Sequence, residues 1–341
     1  MSISTQELAK TVAELTASGK GILAADESVG TLAKRFQAVS VANTEEARCS
    51  YRELLFSTPG LGDFISGVIL FEETLKQKNV AGVPLPELLK VQGIVAGIKV
   101  DKGTVPLSEF PSETVTQGLD DLAQRLTEYK QLGARFAKWR AVIHIGAGIP
   151  TPQTIASNAH ALARYAAICQ EQGVVPIVEP EVLMDGDHTL ATSARVTEEV
   201  LHAVFHALHR QRVALEYMIL KPNMVVPGSV SPEQATPQQV AQATLICLRR
   251  TVPAAMPGIN FLSGGQSETT ATANLQALNA KAEKQPWVLS FSYGRALQAS
   301  VLQAWRGEAA NQSNAQQTLS KRARLNSAAT LGKYTAAMEN E

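Results

Sequence analysis

Lys221 ends an apolar run, residues 217–224 (YMILKPNM), whose composition is that of a buried strand. Withdrawal from water disfavours an ammonium against its neutral amine. A neutral amine is the nucleophile that forms Schiff bases with carbonyl substrates. The competing reading is a strand-end lysine that reaches solvent or pairs with a carboxylate. Other short apolar runs also finish on residues that carry chemistry: Asp26 and Glu27, Glu72 and Glu73, Lys99 and Asp101, Lys138 and Arg140, Glu179 and Glu181, then Lys221 with Asn223. Two further runs end in Ser263-Gly264-Gly265 and Ser292-Tyr293-Gly294-Arg295.

Lysines beside carboxylates are the material of amine nucleophiles and their proton-transfer partners. Glycine turns after strands let bare backbone N–H groups approach a phosphate closely, and Arg295 adds a bidentate donor. Lys99 and Arg140 offer a second anion pocket across from that turn, an arrangement suited to a substrate phosphorylated at both ends. Side-chain alternation along a strand turns some of these charges outward or into salt bridges.

The elements that position these residues follow from the spacing of the runs. Eight recur, at GILAADES and at residues 64–73, 94–101, 136–145, 175–182, 217–224, 259–265 and 287–295. Between most of them lie stretches of helical periodicity, such as Ile155, Ala159, Leu162, Ala166 and Cys169. Near-continuous apolar strands alternating with helices imply a parallel sheet covered on its outside. Eight such units match a closed barrel better than an open sheet, so the fold class predicted is α/β: a single (β/α)8 TIM barrel with additional N- and C-terminal helices. In such a barrel the active site is built at the C-terminal ends of the strands, where the charges lie. No linker or repeat divides residues 1–341; from about residue 306 the chain reads as a helical tail whose last turns, AAMENE, are mobile.

Composition narrows the partners. The 341 residues include 31 basic and 31 acidic side chains, which gives no general field for nucleic acid or a membrane surface. Cys49, Cys169 and Cys247 are too far apart for a disulfide framework or a cysteine-rich zinc site. No apolar run approaches the roughly 20 residues that span a bilayer, and the N-terminus lacks a signal-peptide core. A cytoplasmic protein is the expectation. His202, His206 and His209 share a helix face opposite an apolar arc and read as solvent-facing. The segment Asp185-Gly186-Asp187-His188 is too short for a calcium loop, and Gly146-Ala147-Gly148 lacks the third glycine of a dinucleotide turn.

In order along the chain, GILAADES, GIKVDKG, AKWR, IVEPE, LKPNMV, FLSGGQS and FSYGRALQAS resemble the motifs of class I fructose-1,6-bisphosphate aldolases. The resemblance runs from about residue 5 to Tyr334. It implies a (β/α)8 lyase of glycolysis, gluconeogenesis or the Calvin cycle. Such an enzyme reversibly cleaves fructose 1,6-bisphosphate to dihydroxyacetone phosphate and glyceraldehyde 3-phosphate, with neither metal nor cofactor. By the same resemblance Lys221 is the Schiff-base former, and Glu179 is the general acid and base with Glu181 beside it. Asp26 assists at the hydroxyl next to the cleaved bond, and Lys138 sits close to the Schiff base, where its like charge would further favour the neutral amine. One phosphate falls to Ser263, Gly264, Gly294 and Arg295. The other falls to Ser28, Thr31, Lys99 and Arg140, with Thr31 where animal members usually carry serine. A homo-oligomer, a tetramer, is implied in the same way.

Two departures accompany the resemblance. Animal and plant members typically end in a tyrosine that assists proton exchange on the enamine, whereas this chain ends Met338-Glu339-Asn340-Glu341. Cleavage is therefore expected to be retained while enamine protonation is slower or uses another group. After the fourth strand, His144 and GAGIP replace a more usual lysine-bearing stretch. The alternatives are the same chemistry on another ketose phosphate, such as sedoheptulose 1,7-bisphosphate, and a non-catalytic phosphosugar-binding scaffold.

Overall fold

In the computed structural model, which describes residues 3–280 and 284–341, the eight apolar runs pair as parallel strands of one closed barrel. They are β1 (Gly21–Ala25), β2 (Ile65–Leu70), β3 (Val95–Lys99), β6 (Phe136–Ile143), β7 (Val175–Val182), β8 (Ile219–Leu220), β9 (Gly258–Phe261) and β10 (Val288–Tyr293). Between β3 and β6 the chain inserts an antiparallel hairpin of β4 (Thr104–Pro106) and β5 (Thr114–Thr116). The sequence reading does not contain this hairpin. Its strands are three residues long, each with one valine between threonines or between threonine and proline, so they lack the apolar run by which the barrel strands are recognised. Around the barrel the order is β1, β10, β9, β8, β7, β6, β3, β2, closing on β1.

Both faces of the barrel strands are covered, which is why they read as unbroken apolar runs rather than as an alternation. The outward set, including Leu23, Ala25, Val68 and Leu70, packs under the helices. A smaller inward set, Ile22, Ile69, Val95, Phe136, Val175, Ile177 and Ile219, fills the bottom of the barrel, where Leu8, Val12 and Leu15 of the helix Ile3–Leu15 close it.

Counting by twos from this inward set gives the charged residues at the top. Ile22 leads through Ala24 to Asp26, Val95 through Gly97 to Lys99, and Phe136 to Lys138 and Arg140. Ile177 leads to Glu179 and Glu181, and Ile219 to Lys221. The two-residue period of a strand thus turns an apolar floor into a charged mouth. Register brings the residues level: Lys99 pairs with Lys138, and Arg140 with Glu179.

The helix Gln312–Thr330 packs against the helices Glu268–Asn279 and Arg295–Trp305. Beyond it, Ala336–Asn340 form a short 3-10 helix. There Glu339 receives the Tyr334 hydroxyl at 2.9 Å and the Arg322 guanidinium at 2.6 Å. The polar sequence AAMENE gives no sign of this anchorage, because the partners lie earlier in the chain, Arg322 on the helix and Tyr334 in the stretch after it.

Candidate active site

The mouth of the barrel is a cavity of about 940 Å³, and every residue to which the aldolase resemblance gives a catalytic or phosphate-binding role lines it, whereas the strand-end residues Glu73 and Asn223 do not. At its floor four side chains form a chain of alternating charge. Lys221 Nζ lies 3.0 Å from Glu179 Oε1, Glu179 Oε2 lies 3.2 Å from Lys138 Nζ, and Lys138 Nζ lies 2.7 Å from Asp26 Oδ2. All four are at least nine-tenths buried. Glu179 thus stands between the two lysines, so their like charges do not meet directly as the sequence suggests. Glu179 Oε2 and Lys138 are close as charges, but their alignment does not make a hydrogen bond; that oxygen is buried without a donor.

The charges set each other's proton affinity. Burial by itself would raise the Glu179 carboxyl; Lys138, Lys221 and Arg140 outweigh it and hold the group below the usual glutamate value. Asp26 behaves the same way, with Lys138 and Lys221 overcoming burial and holding it well below an ordinary aspartate. Conversely, burial would lower the Lys138 ammonium, but Asp26 and Glu179 more than offset this, so its proton is held more tightly than in water. Lys138 is a fixed cation here. Glu181 is not in the chain: it binds the Arg140 guanidinium, which burial would lower and Glu181 and Glu179 raise.

The two anion-binding regions take shape at opposite walls. Gly264 has a positive φ of 55°, a backbone region that favours glycine, and it turns the chain after β9. Arg295, at the start of the helix Arg295–Trp305, donates to the Gly264 carbonyl at 2.6 Å, so the turns after β9 and β10 are tied together. Lys99, at the end of β3, and Arg140, on β6, lie across the barrel from those turns. Ser28 caps the helix Val29–Gln37 by accepting from the Thr31 N–H at 3.3 Å, which holds both hydroxyls on the rim after β1, the strand paired with β10.

Sequence reasoning passed over several lining residues. Lys34 and Arg35 enter the cavity one turn beyond Thr31, at the i+3 and i+4 spacing that marks one helix face. That spacing was the available signal. Ser292, near the end of β10, also lines the cavity, with its hydroxyl buried there without a protein partner. Other strand-end charges are structural. Glu73 holds Arg48 through two bonds of 2.7 and 2.6 Å, and Glu27 binds Arg35 and the fully buried Arg52. Tyr334, held on Glu339, is not among the lining residues. His202, His206 and His209 are exposed opposite buried Val196, Val200 and Val204. Burial pushes the Cys247 thiol up to about 12 and the Cys169 thiol above its usual value, as for inert core cysteines. Among the described residues no group of three or more histidine, cysteine, aspartate or glutamate side chains is arranged to hold a metal ion. Nor is any helix there long and apolar enough to cross a membrane.

Residues 7–341 match the family model described as class I fructose-bisphosphate aldolase. A probable class 1 fructose-bisphosphate aldolase of Xylella fastidiosa is 54% identical over 333 residues, covering 97% of this chain and 99% of the relative. A cytosolic fructose-bisphosphate aldolase of Arabidopsis thaliana is 57% identical over 329 residues, covering 96% of this chain and 92% of the relative. Among solved structures, a fructose-bisphosphate aldolase from Plasmodium falciparum superposes with a TM-score of 0.97 at 54% identity, covering 98% of this chain and 97% of that one.

Proposed function

Because this chain belongs to the class I fructose-bisphosphate aldolase family, a metal-independent family of lyases, we propose that it cleaves fructose 1,6-bisphosphate through a Schiff base on Lys221. The observation that carries this reading is the buried series Lys221, Glu179, Lys138, Asp26 at the centre of a cavity with anion-binding groups at opposite walls. Each member has work that its geometry suits.

Glu179, 3.0 Å from the Lys221 ammonium, is the group within reach to take its proton. The freed amine attacks the substrate ketone carbon, and the resulting carbinolamine loses water with a proton supplied by Glu179. The product is a protonated iminium on Lys221. When the carbon–carbon bond breaks, its electron pair flows toward the iminium nitrogen and gives an enamine. The adjacent hydroxyl loses its proton to Asp26 or Glu179 as the aldehyde, glyceraldehyde 3-phosphate, departs. Protonation of the enamine carbon and attack of water on the regenerated iminium then release dihydroxyacetone phosphate and return the amine. Lys138 remains charged throughout, holding both carboxylates in their basic form before substrate arrives.

Ser263, Gly264, Gly294 and Arg295 receive one phosphate; Ser28, Thr31, Lys99 and Arg140 receive the other. The Arg295 tie between the glycine turns supports the first assignment. Glu181 orients Arg140. The retention of both Lys221 and Glu179 disfavours a non-catalytic scaffold. A cytoplasmic location is supported by the cytosolic relative, and a homo-oligomer by family resemblance, measurable as mass in solution by light scattering.

Incubation with dihydroxyacetone phosphate and borohydride should attach a three-carbon phosphate unit to Lys221, read by peptide mass. An unmodified Lys221, or an adduct on another lysine, would refute the mechanism.

A further inference from the structure

Asp101 has no role in the chemistry just described, yet it touches three separate parts of the second anion wall. Its side chain is buried, at 3% exposure, although it lines the cavity. Oδ1 lies 2.6 Å from the Lys99 ammonium and also accepts the Gly103 N–H at 3.2 Å. Oδ2 accepts the backbone N–H of Arg140 at 3.3 Å, across the gap between β3 and β6. The Asp101 carbonyl takes a further bond from Lys99 at 2.9 Å. One carboxylate therefore fixes the ammonium of Lys99, the main chain that carries Arg140, and the start of the hairpin formed by β4 and β5.

That hairpin is tied in the same place. Lys102 and Gln117 close its base through Lys102 N–H to Gln117 carbonyl and Gln117 N–H to Gly103 carbonyl bonds, of 2.8 and 2.9 Å. Thr116, at the end of β5, donates its hydroxyl to the Arg140 carbonyl at 2.8 Å. Arg140 is thus held at its N–H by Asp101 and at its carbonyl by the hairpin, while its guanidinium is aimed by Glu181. A lysine left to itself is a flexible stem with a strongly hydrated head, and immobilising it on a ligand costs side-chain entropy. A buried carboxylate meets that cost in the folded protein, before the ligand arrives.

We propose that Asp101 is a positioning residue that presets Lys99 and Arg140 for the phosphate distant from the Ser263–Gly264 turn. This assignment rests on the two-phosphate reading of the cavity and deepens it, since it sets the selectivity for a bisphosphate over a monophosphate. The effect falls mainly on binding, because Asp101 has no contact with Lys221 or Glu179 and reaches the buried charge series only as a lesser charge acting on Lys138, behind Asp26 and Glu179.

The test compares fructose 1,6-bisphosphate with fructose 1-phosphate in the full-length protein and in Asp101→Asn. The variant should raise KM for the bisphosphate by about ten-fold or more, the scale for loss of one charge-oriented contact, and leave kcat and KM for the monophosphate within about two-fold. In a Lys99→Met background, where the ammonium is already gone, Asp101→Asn should raise the bisphosphate KM by a smaller factor. An unchanged or lowered bisphosphate KM overturns the proposal. So does an equal loss on both substrates, the signature of a merely structural carboxylate. Borohydride trapping of dihydroxyacetone phosphate on Lys221 monitors the fold of each variant, because that ligand has only one phosphate. Wild-type protein that traps nothing would refute the Schiff-base reading, and the Asp101 assignment with it. Trapping without the KM split would overturn the Asp101 assignment alone.

Discussion

Glu179 reaches Lys221 with one carboxylate oxygen, at 3.0 Å, and leaves the other without a hydrogen-bond donor in a buried site. A carboxylate in that state can exchange a proton with the amine and still accept one from substrate. Glu179→Gln keeps the shape and removes this capacity. Its kcat should fall about 10²- to 10⁴-fold, the usual worth of a positioned acid–base group, with slower borohydride trapping under single-turnover conditions. A kcat within ten-fold of wild type would move the role to another carboxylate.

Lys138 holds two buried carboxylates in their charged form, so Lys138→Met should change the acid side of the pH profile. With that cation gone, burial still raises Asp26 and Glu179 while less opposes it. Their proton affinity then increases, and the acid limb of kcat/KM moves to higher pH. The direction follows from the charges: in wild type both groups are held low, so their basic forms persist as pH falls through the ordinary carboxylate range. A profile that keeps its acid limb while losing amplitude would mean that Lys138 contributes contact with substrate and little to proton affinity.

The sequence made the barrel legible because covered parallel strands are apolar on both faces, and made the site legible because charges end runs that would otherwise be core. Stepping by twos from Ile219 to Lys221 or from Ile177 to Glu179 is periodicity any reader can count. Pairing was less visible. Glu27 and Asp26 are neighbours in sequence, yet Asp26 enters the cavity floor with Lys138, while Glu27 takes Arg35 and Arg52. Nothing local distinguishes them except strand parity at a strand's end. The hairpin after β3 is not legible because its three-residue strands carry no apolar pattern.

Glu27 therefore belongs to the stability of the molecule. Arg52, 1% exposed, has one guanidinium nitrogen already without a partner, and its 2.6 Å contact to Glu27 balances its charge. Glu27→Gln removes that charge and should lower unfolding free energy by about 3–5 kcal/mol, the cost of stranding one member of a buried ion pair. Urea unfolding at neutral pH measures it. A loss below 1 kcal/mol would show that water or Tyr51, whose ring lies 5.8 Å from the guanidinium, compensates Arg52.

Gly97 continues the inward row of β3 between Val95 and Lys99, and an added Cβ there would stand 2.3 Å from the ring of fully buried Phe136. Gly97→Ala should destabilise by about 1–3 kcal/mol through overpacking. Combining it with Phe136→Leu should cost less than the sum of the two single changes, because the smaller side chain vacates the space the methyl needs. Strict additivity would place the strain elsewhere in the barrel floor.

The short helix at Ala336–Asn340 gives the last test, of whether the end of the chain serves stability or catalysis. Glu339 binds the buried Arg322 and the Tyr334 hydroxyl, and burial together with Glu339 pushes that hydroxyl up to about 12. Arg322 also donates to the Glu268 carbonyl and the Thr272 hydroxyl, in the helix that follows the Ser263–Gly264 turn. Removing residues 336–341 leaves the Arg322 charge without its carboxylate and should cost about 1–3 kcal/mol. Trapping on Lys221 should persist, since none of these groups lines the cavity. Retained trapping with a selective loss of proton exchange on bound dihydroxyacetone phosphate, followed by deuterium incorporation, would instead assign the tail to enamine protonation.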